Sequence, residues 1–509
     1  MLREMKSVIA LKDYFFCILS ASLLIFSFPN FNVWLFAWFG FVPLFFVLQN
    51  KSKSKAFWLS YLTGIIFWFG IINWLVHVTL TGLIVLVLYL ALYFSIFGLL
   101  VSAYSLKLRA YSLLLTPSIW VLLEYVRSHF LTGFPWALLG YSQYLNLPII
   151  QIADITGVWG VSFLVMLVNV AVYSVVSRKL SVISAIKKHM AVILCIIFTL
   201  TYGYFRINNL QLKAYSLKLK VSVIQGNIPQ ELKWQPSARD NILNRYTQLT
   251  ERAARDNPHL IVWPEASSPG VFGEDDRAYE HILKLSEKIK TPLLVGAVVR
   301  EDEKYFNSAV LISSLNAIAG RYDKLHLVPF GEYIPLKKIL PFLETIVPIG
   351  DITRGGKFTI FRITAGRSGA LYNFAVLICF EDLFPELSRQ FTKKGADFLI
   401  NITNDAWYKE TSAPYQHLQA SVFRAVENRL YLVRAANTGV SGFIAPEGKI
   451  TSLVQDKEGR RIFIEGYKTQ EFPIYKPHLT FYARYGDIFI AGCFLLLLYG
   501  IILPFKKKR

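Results

Sequence analysis

Along the first 210 residues the chain hardly alternates between apolar and polar positions. Apolar runs near 9–28, 31–49, 57–78, 80–103, 111–126, 155–177 and 190–207 approach the length a helix needs to cross a bilayer, and one more follows at 486–505, the requirement being about 20 residues. The pattern predicts eight transmembrane helices, seven early and one at the end. Lys12 and Asp13 interrupt the first of them. A cleaved signal peptide is the rival reading of residues 1–28, but no small-residue cleavage site follows and Phe28-Pro29 leads straight into the next run.

Between about 218 and 468 the period changes. VSVIQ (221–225), LIVWPE (260–265), LLVGAVV (293–299), AVLICFE (375–381) and FLINITND (398–405) are short, continuous apolar runs, several ending in a polar or reactive residue. Runs of that kind suit strands buried on both faces. Segments 236–256, 275–290 and 412–430 carry a polar face and read as helices. The alternation predicts an α/β domain, a helix-covered sheet with functional groups at strand ends. The stretch 469–484, TQEFPIYKPHLTFYAR, reads as an aromatic, partly basic return to the membrane surface, and 484–509 as the last helix with a basic tail.

Composition agrees with a membrane half: 54% of residues are hydrophobic and mean hydropathy is +0.41. Arg3 and Lys6, then Lys51, Lys53 and Lys55, Lys107 and Arg109, Arg178, Lys179, Lys187 and Lys188, and Lys506 to Arg509 all fall on one side of the predicted helices. The opposite loops carry Arg127 alone. By the positive-inside rule both termini are cytoplasmic and the α/β insert lies outside. With Glu4 as their one anion, these segments supply most of the formal +20, so the basic balance is topogenic and nucleic acid is a poor inference.

Cys17, Cys195 and Cys493 fall in apolar runs, which leaves Cys379 the one cysteine of the exported region, with no disulfide partner there. Its sequence neighbours Glu381 and Asp382 would raise its pKa and blunt its nucleophilicity, so a working Cys379 needs a cation beside it. A nucleophilic cysteine also needs a base for its proton and a donor for the oxyanion formed on acyl attack. Glu265, Lys324 and Cys379 supply those roles, with Glu332 placed to orient the lysine and Glu381 to bind the base or substrate. A dyad of Cys379 with His326 or His417 stays open on sequence alone. The histidines show no metal-ligand spacing, GGKF at 355–358 is not a phosphate loop, and no metal or cofactor is expected.

WPEAS (263–267), DKLHLVPFGEYIP (323–335) and LICFED (377–382) resemble the three motif blocks of the carbon–nitrogen hydrolase, or nitrilase, superfamily, in the right order. FLTGFPWALLGYSQY (130–144), eight spans and a nitrilase-like insert before the last of them resemble the apolipoprotein N-acyltransferase family. That resemblance implies an α-β-β-α sandwich facing the periplasm from the bacterial inner membrane. It implies Glu265 as base, Lys324 as oxyanion stabiliser and Cys379 as nucleophile, with Glu332 and Glu381 as supporting glutamates, Trp234 in the substrate region and Phe380 where some members have tyrosine. The implied partners are a phospholipid acyl donor and a diacylglyceryl-cysteine apolipoprotein acceptor, joined through a cysteine thioester.

Two rival classes remain on sequence alone: a membrane-tethered amidase or nitrilase that hands its acyl-enzyme to water, and a non-catalytic receptor or transporter. Trp234, Phe380 and Trp407 are the aromatics expected to shield a thioester from water. Glu124 and Arg127, three apart near a helix end, are expected either as a functional intramembrane pair or as a salt bridge between helices.

Overall fold

The computed structural model describes residues 2–105, 112–212, 218–334, 352–365, 369–474 and 478–506. Lys107, Arg109, Pro335 and the basic tail from Lys507 to Arg509, all used above, lie outside the described residues. The chain divides into two compact units, Met1–Asn208 with Tyr485–Arg509, and Asn209–Arg484.

The first unit is helical. Among the described residues four helices are long and apolar enough to cross a membrane, Lys53–His77, Leu80–Ala103, Val158–Ser177 and Val182–Asn209, where the hydropathy pattern predicts eight. The differences have local causes. The run 31–49 breaks into a 3-10 turn, Trp34–Trp38, and a short helix, Val42–Leu48. The helix Ser112–His129 carries Glu124, Arg127 and His129 in its second half, and in the last helix the apolar stretch is the short Ile488–Gly500. The opening run does form a helix, Leu2–Phe26.

Polar side chains inside this unit serve backbone groups that helix ends leave unpaired. Asn169 accepts from Phe41 N at 2.8 Å and donates to Ala37 O at 2.8 Å. Glu124 accepts from Leu139 N at 2.6 Å, while Arg127 donates to Phe134 O and Trp136 O and lies over the Trp68 ring, 4.8 Å from its centroid. No ion pair joins Glu124 to Arg127 among the contacts described; both hold the 134–139 turn instead. Gly98 shows how closely two helices approach, since a Cβ there would sit 1.9 Å from Ser60 Oγ.

Among its described residues the second unit contains thirteen strands: β1 (Lys218–Gln225), β2 (Leu260–Val262), β3 (Val271–Phe272), β4 (Leu293–Glu301), β5 (Lys304–Ser313), β6 (Ala317–Asp323), β7 (Phe361–Ala365), β8 (Ala370–Ile378), β9 (Phe398–Thr403), β10 (Tyr431–Ala436), β11 (Gly442–Ile444), β12 (Ile450–Leu453) and β13 (Gly466–Pro473). One sheet runs β13-β1-β2-β4-β5-β6, with β3 on β4, and the other β12-β11-β10-β9-β8-β7. β1, β2 and β4 are parallel in the first and β8, β9 and β10 in the second, while the outer pairs are antiparallel.

The sheets meet face to face at Phe472 of β13, whose ring contacts Phe398, Tyr431 and Phe443 of the other sheet. Helices Arg239–Ala254 and Asp276–Ile289 pack on the outer face of the first sheet through a core that includes Tyr246, Ile282, Trp263 and Val295. Helices Pro385–Lys393 and Ala413–Asn428 cover the second, tied to each other by Thr392 Oγ1 donating to Asn428 Oδ1 at 2.9 Å. This is an α-β-β-α sandwich. Residues 469–473, read from sequence as part of a membrane-surface return, are the end of β13; their pairing with β1 takes precedence over the aromatic and basic character that suggested a surface segment.

Candidate active site

The C-terminal ends of the parallel strands bring the chemistry together. Glu265 lies three residues beyond β2, Cys379 one beyond β8 and Asn404 one beyond β9, while Lys324 follows directly on β6. The turn carrying Glu265 crosses β4 at Gly296, where a Cβ would sit 2.2 Å from Pro264 O, so only glycine lets WPE pass that closely. Gly296 O in turn accepts from Ser267 N at 2.8 Å and Ser268 N at 3.1 Å.

Lys324 is fully enclosed, its Nζ 3.3 Å from Glu265 Oε1 and 2.9 Å from Glu332 Oε2. Asn307 Nδ2 donates to both glutamates, at 2.8 Å to Glu265 Oε1 and 2.7 Å to Glu332 Oε1. The second oxygen of Glu265 accepts from Asn404 N at 2.9 Å, and that of Glu332 from Val328 N at 2.8 Å. Burial alone would lower the lysine pKa, but Glu332 and Glu265 hold it well above its ordinary value. The group is therefore a fixed ammonium, suited to binding an anion and unsuited to giving up its own proton.

Cys379 starts a 3-10 turn with φ +54°, a left-handed conformation that is strained for a residue with a Cβ and characteristic of functional turns. Its carbonyl is fixed by Asn401 Nδ2 at 3.0 Å and His417 Nε2 at 3.3 Å. Burial pushes the thiol pKa up, Glu265 adds to the rise and Lys324 opposes it. The acids that bear on the thiol are thus Glu265 and Asp405. Glu381 and Asp382, its neighbours in sequence, are engaged elsewhere.

Glu381 is sealed in the core, where it accepts from Tyr322 Oη at 2.9 Å, Leu325 N at 2.6 Å, His326 N at 3.0 Å and Ile378 N at 2.7 Å. Burial raises its pKa to about 7. These contacts tie the Lys324 loop to the end of β8, and none of them is with Glu265. Asp382 accepts from His417 Nε2 at 2.8 Å and Arg434 Nη1 at 3.1 Å, and His417 Nδ1 lies 3.1 Å from Asp405 Oδ1. Both histidine nitrogens face carboxylates, which excludes His417 as the thiol's base in this arrangement, and the His326 ring packs on Phe384 at 3.7 Å. Although burial opposes it, His417 and Arg434 hold Asp382 below the usual carboxylate range.

Of the aromatics, Phe380 is buried, edge-on to Phe384 at 5.5 Å. Trp234 and Trp407 are about half exposed, at 48% and 51%. Their loops are tied together by Asn404 Nδ2 donating to Gln230 Oε1 at 2.7 Å and by a Lys409–Glu231 ion pair. Sequence reading missed Asn307, Asn404 and Lys233. The last was hidden beside the more conspicuous Trp234; its Nζ is buried and donates to Glu265 O at 3.0 Å.

The apolipoprotein N-acyltransferase N-terminal domain matches residues 20–171, and the carbon-nitrogen hydrolase domain matches residues 220–464. An apolipoprotein N-acyltransferase of Geobacter metallireducens is 39% identical over 518 residues, covering 98% of this chain and 96% of that protein. Proteins of the same name from Pasteurella multocida (31% identical; 98% of this chain and 96% of that protein) and Haemophilus ducreyi (30%; 97% of each) also align over nearly their full lengths.

Proposed function

The chain belongs to the apolipoprotein N-acyltransferase family, and from that membership we propose that it transfers a fatty acyl chain from a membrane phospholipid, through a Cys379 thioester, to the N-terminal amine of a diacylglyceryl-cysteine apolipoprotein. It is an acyltransferase, and its carbon–nitrogen hydrolase domain carries the chemistry. The observation that supports the residue assignment is the buried Glu265–Lys324–Glu332 cluster at the strand ends that also present Cys379.

In this reading Glu265 takes the Sγ proton and the thiolate attacks the ester carbonyl, whose developing oxyanion is stabilised by the Lys324 ammonium. The carbon–oxygen bond then breaks and Glu265 returns the proton to the departing lysophospholipid alkoxide. In the second half the acceptor amine attacks the thioester and gives a proton to Glu265. The carbon–sulfur bond breaks, and the proton returns to Cys379. Glu332 and Asn307 orient the charged pair. The α/β unit faces the periplasm from the inner membrane, and exposed Trp234 and Trp407 meet the lipid substrates.

The test is mass analysis of Cys379 after incubation with phospholipid. An acyl adduct should accumulate with little free fatty acid, and a peptide bearing an N-terminal diacylglyceryl-cysteine should discharge it to an amide. The same peptide with its amine acetylated should not. Fatty-acid release at a rate the acceptor does not change would instead mark a hydrolase.

A further inference from the structure

Lys233 is an oddity that the reaction above leaves unexplained. It follows the turn Gln230–Leu232, is 3% exposed, and among the described residues the one hydrogen bond of its ammonium is to the Glu265 carbonyl. An ammonium has three donors and is expensive to bury. Bracing a carbonyl needs neither the charge nor the other two donors, since a neutral amide does the same. The charge itself is what needs a reason.

The charges around Cys379 supply one. Glu265 and Glu332 are two carboxylates against the single ammonium of Lys324, so this cluster is net negative before the thiol ionises. Asp405 adds its field from the end of β9, although His417 and Arg434 pair with it, and the hydroxyl of half-buried Tyr408, close enough to feel the thiol, offers no cation. A thiolate formed there would be a further anion in a closed site. Lys233 cancels the excess. We propose that Lys233 is a second cation of this site, a positioning residue whose charge offsets Glu265 and brings the Cys379 thiolate within reach at neutral pH. Its own titration fits the role: burial lowers its pKa to about 8, while Glu265 and Cys379 act to keep the proton on.

The proposal rests on Cys379 being the nucleophile and is tested on the full-length protein in detergent. The rate of Cys379 alkylation by iodoacetamide, followed on the Cys379 peptide by mass, is measured from pH 5.5 to 10 for the natural chain, Lys233→Met and Lys233→Gln. Glutamine keeps a donor for the Glu265 carbonyl and removes the charge. Both variants should move the alkylation midpoint upward by about one to three pH units, the effect of one nearby opposite charge. Near pH 7, alkylation and thioester formation from phosphatidylethanolamine micelles should both fall at least about tenfold, and raising the pH should restore them. A lower rate with an unmoved midpoint in Lys233→Gln means that the lysine only braces the backbone, and overturns the proposal. Thioester formation that survives complete alkylation of Cys379 overturns the nucleophile assignment as well, so the two failures are told apart.

Discussion

At the scale of single residues, the chemistry of Cys379 follows from what is folded against it and owes little to its neighbours in sequence. Cys379→Ser should abolish the thioester, because an alcohol needs far stronger activation than a thiol, and Lys324→Arg should fail too, since a planar guanidinium cannot replace a compact ammonium between two carboxylates. Thioester formed at a near-natural rate by either folded variant would remove that residue from the mechanism. His417 yields a stability prediction. Burial and Arg434 would lower its pKa, yet Asp382 and Asp405 raise it from 6.5 to about 8. A pKa raised on folding stabilises fully below the unfolded value and is lost as pH rises through the folded one, a term of about 2 kcal/mol. The stability advantage of the natural chain over His417→Gln should therefore shrink by about that much between about pH 5.5 and pH 9 in equilibrium denaturation, and an advantage that stays constant across the window counts against the pairing. Glu265 and Cys379 were legible in the sequence because each ends an apolar run, and Lys324 and Glu332 because both stand in the block DKLHLVPFGEYIP. Asn307, Asn404 and Lys233 were not, because an amide or lysine on a strand or turn gains its role only from a partner tens of residues away.

At the scale of elements, the parallel strands were the readable ones. Buried on both faces, β1, β2, β4, β8 and β9 present continuous apolar runs, and the helices between them present one polar face. The antiparallel strands β5 to β7 and β11 to β13 were passed over, since pairing register and turn geometry define them more than any local period does, and so was β10, which is parallel to β9 but broken by Arg434. The predicted membrane helices suffered from the opposite fault: apolarity showed where the chain is buried, but did not show that 31–49 breaks into two short elements. Phe472 is where sheet meets sheet. Phe472→Ala should cost about 3–5 kcal/mol, the usual loss for a buried phenylalanine, measured by equilibrium denaturation of the α/β unit within the full chain. A cost below about 1 kcal/mol would mean that the two sheets are held together elsewhere.

At the scale of the whole molecule, the loop charges make a prediction about sidedness. A reporter active only in the cytoplasm, fused at about residue 300, should be silent, and one fused after the last helix should be active. Activity at residue 300 would reverse the orientation and with it the periplasmic site. The order of elements has one more consequence. Lys218, the first residue of β1, stands directly across from Pro473, the last of β13, so the α/β unit begins and ends side by side, about 5 Å apart at the Cα atoms. To the rest of the chain this large unit presents ends no wider than those of a tight hairpin. Such a piece can be taken up by an ancestral gene in the short loop between two helices without prying them apart, much as tolerated domain insertions enter at adjacent ends. By the same geometry, tension on the two connections would open the β1–β13 pair from its end like a zipper, one rung at a time, so mechanical failure would begin far along the chain from Cys379.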